Sequence, residues 1–346
     1  MLHKHHHFHV SSSSLLMRRL FGSFYHIHHK NLKFLQNQKW VCRNMATTTT
    51  TVAPTTTKKI VVIMGATGSG KSKLSIDLAT RFFTSEIINS DKIQVSKGLD
   101  ITTNKISINE RGGVVHHLLG EFSGPELFSP SDFRHTADNR ITDIINRRKL
   151  PLIVGGSNSF IYALLSNQFN PGVDVFDELN PVQCISKELR YHCCFIWVDV
   201  FTPVLNRYLF QRVDEMMDSG MYEELEEFFE KNGFSDQNTG IRKAIGVPEM
   251  EGYFRNLKNC TTVQEKCRLY DEAVREIKEN TKELAEKQIW KIQQLKESGW
   301  DLQKVDATEA LRAKMSPENS EIPATEIWER QVVIPSMKIV KQFLLE

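Results

Sequence analysis

Ile60-Val-Val-Ile-Met-Gly-Ala-Thr-Gly-Ser-Gly-Lys-Ser72 decides the fold. Ile60 to Met64 is a short apolar run rich in β-branched residues, the pattern of a buried strand. Gly65, Gly70, Lys71 and Ser72 then match G-x-x-x-x-G-K-[ST], and Leu74, Ile76, Leu78 and Ala79 continue as a helix packed on a sheet. Strand, loop and helix are the setting a phosphate-binding loop needs. In the span Gly65, Ala66, Thr67, Gly68, Ser69, Gly70, Lys71 and Ser72, the glycines let successive N–H groups turn toward one anion. The helix start adds its positive end. Lys71 supplies a point charge, and the Ser72 hydroxyl is placed to hold Mg²⁺. The expected fold is α/β, a P-loop NTPase-like parallel sheet flanked by helices, with a smaller helical subdomain. Which phosphate the loop holds, that of ATP or the diphosphate of another molecule, is left open by the motif.

Downstream, Phe82–Asn89 reads as a second strand, and Asp91 follows it within Ser90-Asp91-Lys92-Ile93-Gln94. A carboxylate just past a strand end faces the phosphate crevice of an open α/β sheet. An aspartate there is equally suited to capping a helix or turn. His116 and His117 are adjacent, so they diverge on any regular element and make poor co-ligands for a metal. Ser129-Pro130-Ser131-Asp132 carries helix-capping chemistry. Pro151–Val154 is the next strand, and Gly155-Gly156-Ser157 after it turns toward a helix, with donors for an anion. Phe195–Asp199 is a strand ending in Asp199, either a water-mediated metal ligand or a turn former. Pro203–Phe229 has helical periodicity interrupted at Gly220. It carries Arg207 and Arg212, either of which is suited to closing over a phosphate. Val263–Gly299 is a long amphipathic helix with interleaved lysine and glutamate. Ile339–Leu345 is expected to dock as a terminal helix.

Charge divides the chain. Residues 1–59 contain nine Lys/Arg, no Asp or Glu, and eight of the twelve histidines. The remainder carries 35 Lys/Arg against 42 Asp/Glu. A basic, acid-free N-terminus with Ser11–Ser14 and Thr47–Thr51 reads as an organelle transit peptide, read by the import machinery. Its Ser and Thr content favours a plastid. Arg18-Arg19-Leu20-Phe21 suits a mitochondrial amphipathic helix, and a start at Met45 leaves a cytosolic protein. No apolar run reaches the roughly 20 residues that span a membrane. The six cysteines show no C-x-x-C spacing, which points to a reduced compartment. The expected organisation is a leader over 1–57, a P-loop core over 58–200, a helical region over 201–300 and a C-terminal segment over 301–346.

Taken together, residues 65–72, Asn89–Gln94, Val115–Leu119, Ser131–Phe133, Gly155–Ser159 and Gly240-Ile241-Arg242-Lys243-Ala244-Ile245-Gly246 form an ordered set. With it the chain resembles the isopentenyltransferases, a family that includes bacterial tRNA dimethylallyltransferase, and it is most similar to the plant branch that makes cytokinins from adenine nucleotides. The resemblance spans about 60–300. It implies transfer of the prenyl group of dimethylallyl diphosphate to N6 of adenine, with the P-loop holding the donor's diphosphate. It also implies that Asp91 is the catalytic base, that Lys71 and Mg²⁺ on Ser72 neutralise the leaving diphosphate, that Ser157 lies near its bridging region, and that Arg212 closes on it.

The acceptor is either a free nucleotide or tRNA. A tRNA enzyme needs a basic surface, because phosphate contacts dominate that affinity, and this body is acidic. Eukaryotic tRNA members tend to carry a C-terminal Cys₂His₂ finger, whereas here the last cysteine is Cys267 and the last histidine His192. The turn Gly155-Gly156-Ser157-Asn158-Ser159 also departs from the Gly-Gly-Thr-Gly of the tRNA branch. These features point to AMP, ADP or ATP as the acceptor and to no nucleic-acid partner, and the resemblance to the plant branch implies a preference for ADP and ATP over AMP. Arg242, Lys243 and Lys282 are the candidates for gripping the acceptor's phosphates. A P-loop kinase of small metabolites is the alternative of a different class.

Overall fold

The computed structural model describes residues 58–346 apart from 125–127, 178–179, 181, 236–238 and 258; the leader expected over 1–57 lies outside the described residues. Six parallel strands form one sheet in the order β3-β2-β4-β1-β5-β6. They are β1 (Lys59–Met64), β2 (Ser85–Asn89), β3 (His116–His117), β4 (Leu150–Gly155), β5 (His192–Asp199) and β6 (Leu302–Asp306). Beneath the P-loop, β1 runs between β4 and β5, with Met64 opposite Gly155 on one side and Trp197 on the other. Helices cover both faces, so strands bury side chains in both directions and read as continuous apolar runs. Along β1, Ile60, Val62 and Met64 enter one core while Val61 and Ile63 enter the other.

The first core is closed by α2 (Pro130–Asn146), α3 (Asn158–Leu165) and the end of α7 (Val263–Glu297). The second is closed by α1 (Lys71–Arg81), α4 (Thr202–Met216), α8 (Thr308–Met315), the short helix Ala324–Trp328, and the terminal helix Ile334–Leu345 that follows it through a π-helical stretch. The helix start expected from Ser129–Asp132 is capped as that signal requires, and α7 is capped in the same way. Ser129 and Asp132 form a capping box on α2, and Thr262 and Glu265 form one on α7. A third cluster unites Val213, Met221, Leu225 and Phe229 with α6 (Val247–Leu257) and the first half of α7. Gly220, at φ 102°, allows the bend by which α4 passes into α5 (Tyr222–Asn232). At 35 residues, α7 belongs to both parts: Ala273 and Ile277 sit in the helical cluster, Ile292 and Leu295 under the sheet.

The adjacent histidines are structural. His117 Nε2 is 2.7 Å from Glu86 Oε2, and His116 Nδ1 is 2.8 Å from the Val114 carbonyl. Glu86 is almost fully buried and also binds Arg147 and Lys149. The bond from Arg147 leads in holding this carboxyl well below the usual carboxylate range. Asp199 pairs with Lys304 at 2.5 Å across β5 and β6 and sits in no cluster of metal-binding side chains among the described residues. Cys194 is buried in the second core, and burial pushes its thiol up to about 12, which keeps it unreactive.

Candidate active site

The carboxyl ends of β1, β4 and β2 meet in a cleft of about 400 Å³. Its floor is the P-loop, with Thr67, Gly68, Gly70, Lys71 and Ser72 in the lining. Asn89 and Asp91 come from the end of β2, Gly155 and Gly156 from the end of β4. Tyr208, Arg212 and Glu215 reach in from α4, Gln288 from α7, and Lys314 from α8. Gln94, Asn104 and Lys105 close the far side.

The P-loop is held in shape by groups distant in sequence. Gln288, buried at 7% exposure, accepts a hydrogen bond from the Thr67 amide at 2.7 Å through Oε1. Its own backbone carbonyl accepts one from Asn158 Nδ2 at 3.1 Å. This explains Gly156: a Cβ there would stand 2.4 Å from Gln288 Nε2. Gly70, at φ +96°, begins α1 in a left-handed conformation, and a Cβ on it would stand 2.6 Å from the Trp328 indole. Trp328 is fixed in turn, donating from Nε1 to Asp77 Oδ2 at 2.7 Å.

Two cations face the loop. The Lys71 ammonium folds back to the Ala66 carbonyl at 2.6 Å. Burial pushes it down to about 8, while the nearby Asp91 charge works in the opposite direction and Arg212 adds to the lowering. Arg212 donates from Nη2 to Thr67 Oγ1 at 2.9 Å, and its Nε is buried with no partner among the described residues. A buried N–H of this kind awaits an acceptor. The arginine of α4 that joins the P-loop is thus Arg212. Arg207 lies on a separate surface with Phe201 and Arg312.

Asp91 satisfies both readings of its position at once. Oδ1 accepts hydrogen bonds from the Ile93 amide at 2.9 Å and the Gln94 amide at 3.2 Å, closing a turn. Oδ2 has no hydrogen-bond partner among the described residues, and the residue lines the cleft. Ser72, exposed in the cleft, makes no side-chain hydrogen bond among the described residues. The Ser72 hydroxyl is a hard oxygen donor of the kind Mg²⁺ takes when substrate phosphates complete its shell. The residues present therefore fit the ion.

Other candidates lie elsewhere. Ser157 accepts from the Lys92 amide at 3.0 Å, so its hydroxyl braces the Asp91 turn rather than lining the cleft. Arg242 donates to the carbonyls of Asn232 and Gly233 and covers the Phe228 ring. Lys243 is exposed outside the cleft, and Lys282 pairs with Glu279 at 3.2 Å. These three acceptor-side candidates are not brought to the P-loop. Gln288, Tyr208, Lys105 and Lys314 are, and no motif marks them. Gln288 alone had a signal: it is a polar residue on the buried stripe Ala285, Gln288, Ile292, Leu295 of α7.

The family model for IPP transferase matches residues 94–182 and 169–293, more than half of the chain. The chain belongs to the IPP transferase family. An adenylate isopentenyltransferase of Humulus lupulus is 52% identical over 82% of this chain and 90% of its own. Adenylate isopentenyltransferase 1, chloroplastic, of Arabidopsis thaliana is 52% identical over 82% of this chain and 80% of its own. Further Arabidopsis relatives are named chloroplastic and one mitochondrial. Among solved structures, a eukaryotic dimethylallyltransferase acting on tRNA superposes with a TM-score of 0.66 at 24% identity, over 83% of this chain and 79% of that one. That likeness extends to the fold. No helix among the described residues is long and apolar enough to cross a membrane.

Proposed function

We propose that this IPP transferase is an adenylate dimethylallyltransferase, which moves the dimethylallyl group of dimethylallyl diphosphate to N6 of the adenine of ADP or ATP, with AMP used less, as a first step toward cytokinins. The observation that carries the reading is the opposition, in one cleft, of a P-loop with unpaired cations and a carboxylate with one free oxygen. The relatives' names supply the nucleotide acceptor.

The diphosphate of the donor sits on the P-loop amides, with Lys71 and Arg212 on its oxygens. Arg212 gains the acceptor that its buried Nε lacks. The N6 amino group is a weak nucleophile because its lone pair is delocalised into the purine. Asp91 Oδ2 orients it and takes its proton as the N6–C1 bond forms and the C1–O bond to diphosphate breaks. Negative charge grows on the leaving oxygens, where the Lys71 ammonium, turning from the Ala66 carbonyl, and the P-loop N–H groups not bonded within the protein neutralise it. Mg²⁺ held at Ser72 would further neutralise the diphosphate. Holding Oδ1 in its turn keeps Oδ2 pointed at one place, the orientational part of the rate enhancement.

The test is direct. Chain lacking residues 1–57 is incubated with dimethylallyl diphosphate, Mg²⁺ and, separately, AMP, ADP, ATP or unmodified tRNA, and prenylated adenine is read by mass spectrometry. Product with ADP and ATP and none with tRNA is expected. Product with tRNA alone would move the acceptor to nucleic acid, and ATP cleavage without prenyl transfer would support a kinase. Import into a plastid is proposed from the leader's composition, and a fluorescent fusion of the leader carried to mitochondria or left in the cytosol would refute it.

A further inference from the structure

Five basic side chains line the cleft: Lys71, Lys73, Lys105, Arg212 and Lys314. Two are already neutralised. Lys73 Nζ is 3.0 Å from Asp77, and Lys105 Nζ is 2.8 Å from Asp100 and 2.6 Å from the Gly98 carbonyl. The other three make no ion pair with a carboxylate among the described residues. Lys71 and Arg212 bind neutral atoms of the P-loop. Lys314 binds a neutral phenol: its Nζ donates to Tyr208 Oη at 2.8 Å and stands 4.8 Å from the centre of that ring.

Tyr208 is itself 8% exposed and packs on the P-loop, its Cδ1 3.4 Å from where a Cβ on Gly68 would stand. A rigid aromatic thus holds the Lys314 ammonium at the rim of the loop. An ammonium carries three protons, and Tyr208 Oη accepts one. Two remain for an anion. Glu215 also lines the cleft without pairing with Lys314. Lys314 lies beyond residue 293, where the family match ends.

We propose that Lys314 is a third phosphate-binding cation of the site, directed by Tyr208 onto the diphosphate seated on the P-loop. This rests on the reading above, in which the P-loop holds the donor's diphosphate and releases it as product. The acceptor's polyphosphate offers the same chemistry, so the test separates the two. Loss of one charge-assisted hydrogen bond weakens binding roughly 10- to 100-fold.

The probe is inorganic diphosphate, titrated calorimetrically into the full chain as wild type, K314M and K314R, alongside KM values for AMP and ATP. The expected result is a dissociation constant for diphosphate raised at least about tenfold in K314M, largely restored in K314R, with the ATP-to-AMP ratio of KM unchanged. An unchanged thermal midpoint shows that the variant is folded, and Y208F, which keeps the ring and removes Oη, should give a smaller loss. Diphosphate binding equal in wild type and K314M overturns the assignment alone. A loss confined to ATP overturns it in favour of the acceptor's phosphates. A wild-type chain that binds no diphosphate overturns both this assignment and the placement of the donor.

Discussion

Replacing Asp91 in two ways separates its two roles. In D91N the amide oxygen still accepts from the Ile93 and Gln94 amides, now 2.9 and 3.2 Å from Oδ1. The turn survives with weaker bonds, and the cost to stability is expected below about 1 kcal/mol, because neutral and charged acceptors differ by roughly that much. The proton acceptor is gone, so kcat should fall by about 10²- to 10⁴-fold, the range for general-base catalysis. In D91A both amides lose their acceptor as well. The cost is that of a missing cap, about 1–2 kcal/mol, seen as a thermal midpoint a few degrees lower. The activities of D91N and D91A should therefore be similarly low while their stabilities differ. Prenyl transfer measured with ADP, next to thermal unfolding, reads both. Wild-type turnover in D91N would assign Asp91 wholly to its turn. Equal destabilisation of the two variants would refute the claim that the amide oxygen can replace Oδ1.

Lys71 in the free chain is pushed down to about 8 by burial, and an anion beside it raises that value in the complex. Donor binding therefore takes up a proton above pH 8, and the donor KM should be flat near pH 7 and rise above pH 8; K71R, charged throughout, should lack this rise, and its presence there would refute the assignment. Glu86, held low by Arg147, Lys149 and His117, contributes stability that is present above the ordinary glutamate range and is lost as pH falls through its depressed value. Wild-type stability should therefore fall progressively as pH drops below the ordinary glutamate range, a dependence weakened in E86Q, and E86Q should be less stable at pH 7 by about 2 kcal/mol, discounted for the partial exposure of its partners; equal chemical-denaturation midpoints would refute this. Gly70→Ala meets both a positive φ and the Trp328 ring. Diphosphate binding should be lost, and adding W328L should restore it only in part, because the backbone strain remains; full recovery would show that the ring alone mattered.

What was legible in the sequence divides by distance along the chain. The P-loop, the Asp91 turn and the cap of α2 are made by neighbours a few residues apart, and each was readable as a local pattern. β6 was not, because Leu302 and Val305 are its only buried apolar residues and it pairs only with β5, at the sheet's edge. The helix Val247–Leu257 was hidden for another reason: it starts directly after the Gly240–Gly246 segment, whose glycines read as a turn. Charge made Arg242 and Lys243, beside the Gly240–Gly246 turn, and Lys282, on α7, attractive as acceptor-side cations, yet the fold commits Arg242 to the end of α5 and Lys282 to a partner on its own helix. The groups that do reach the P-loop come from far away: Gln288 is 221 residues from the amide it accepts, and Arg212 is 145 residues from Thr67. Lys314 bears no motif, and its meaning depends on a tyrosine 106 residues earlier. A phosphate loop can be compact because one backbone turn supplies most of its donors. The cations that close over it must enter from above the sheet, so the chain has to supply them from helices that return late, and only the folded arrangement identifies which they are.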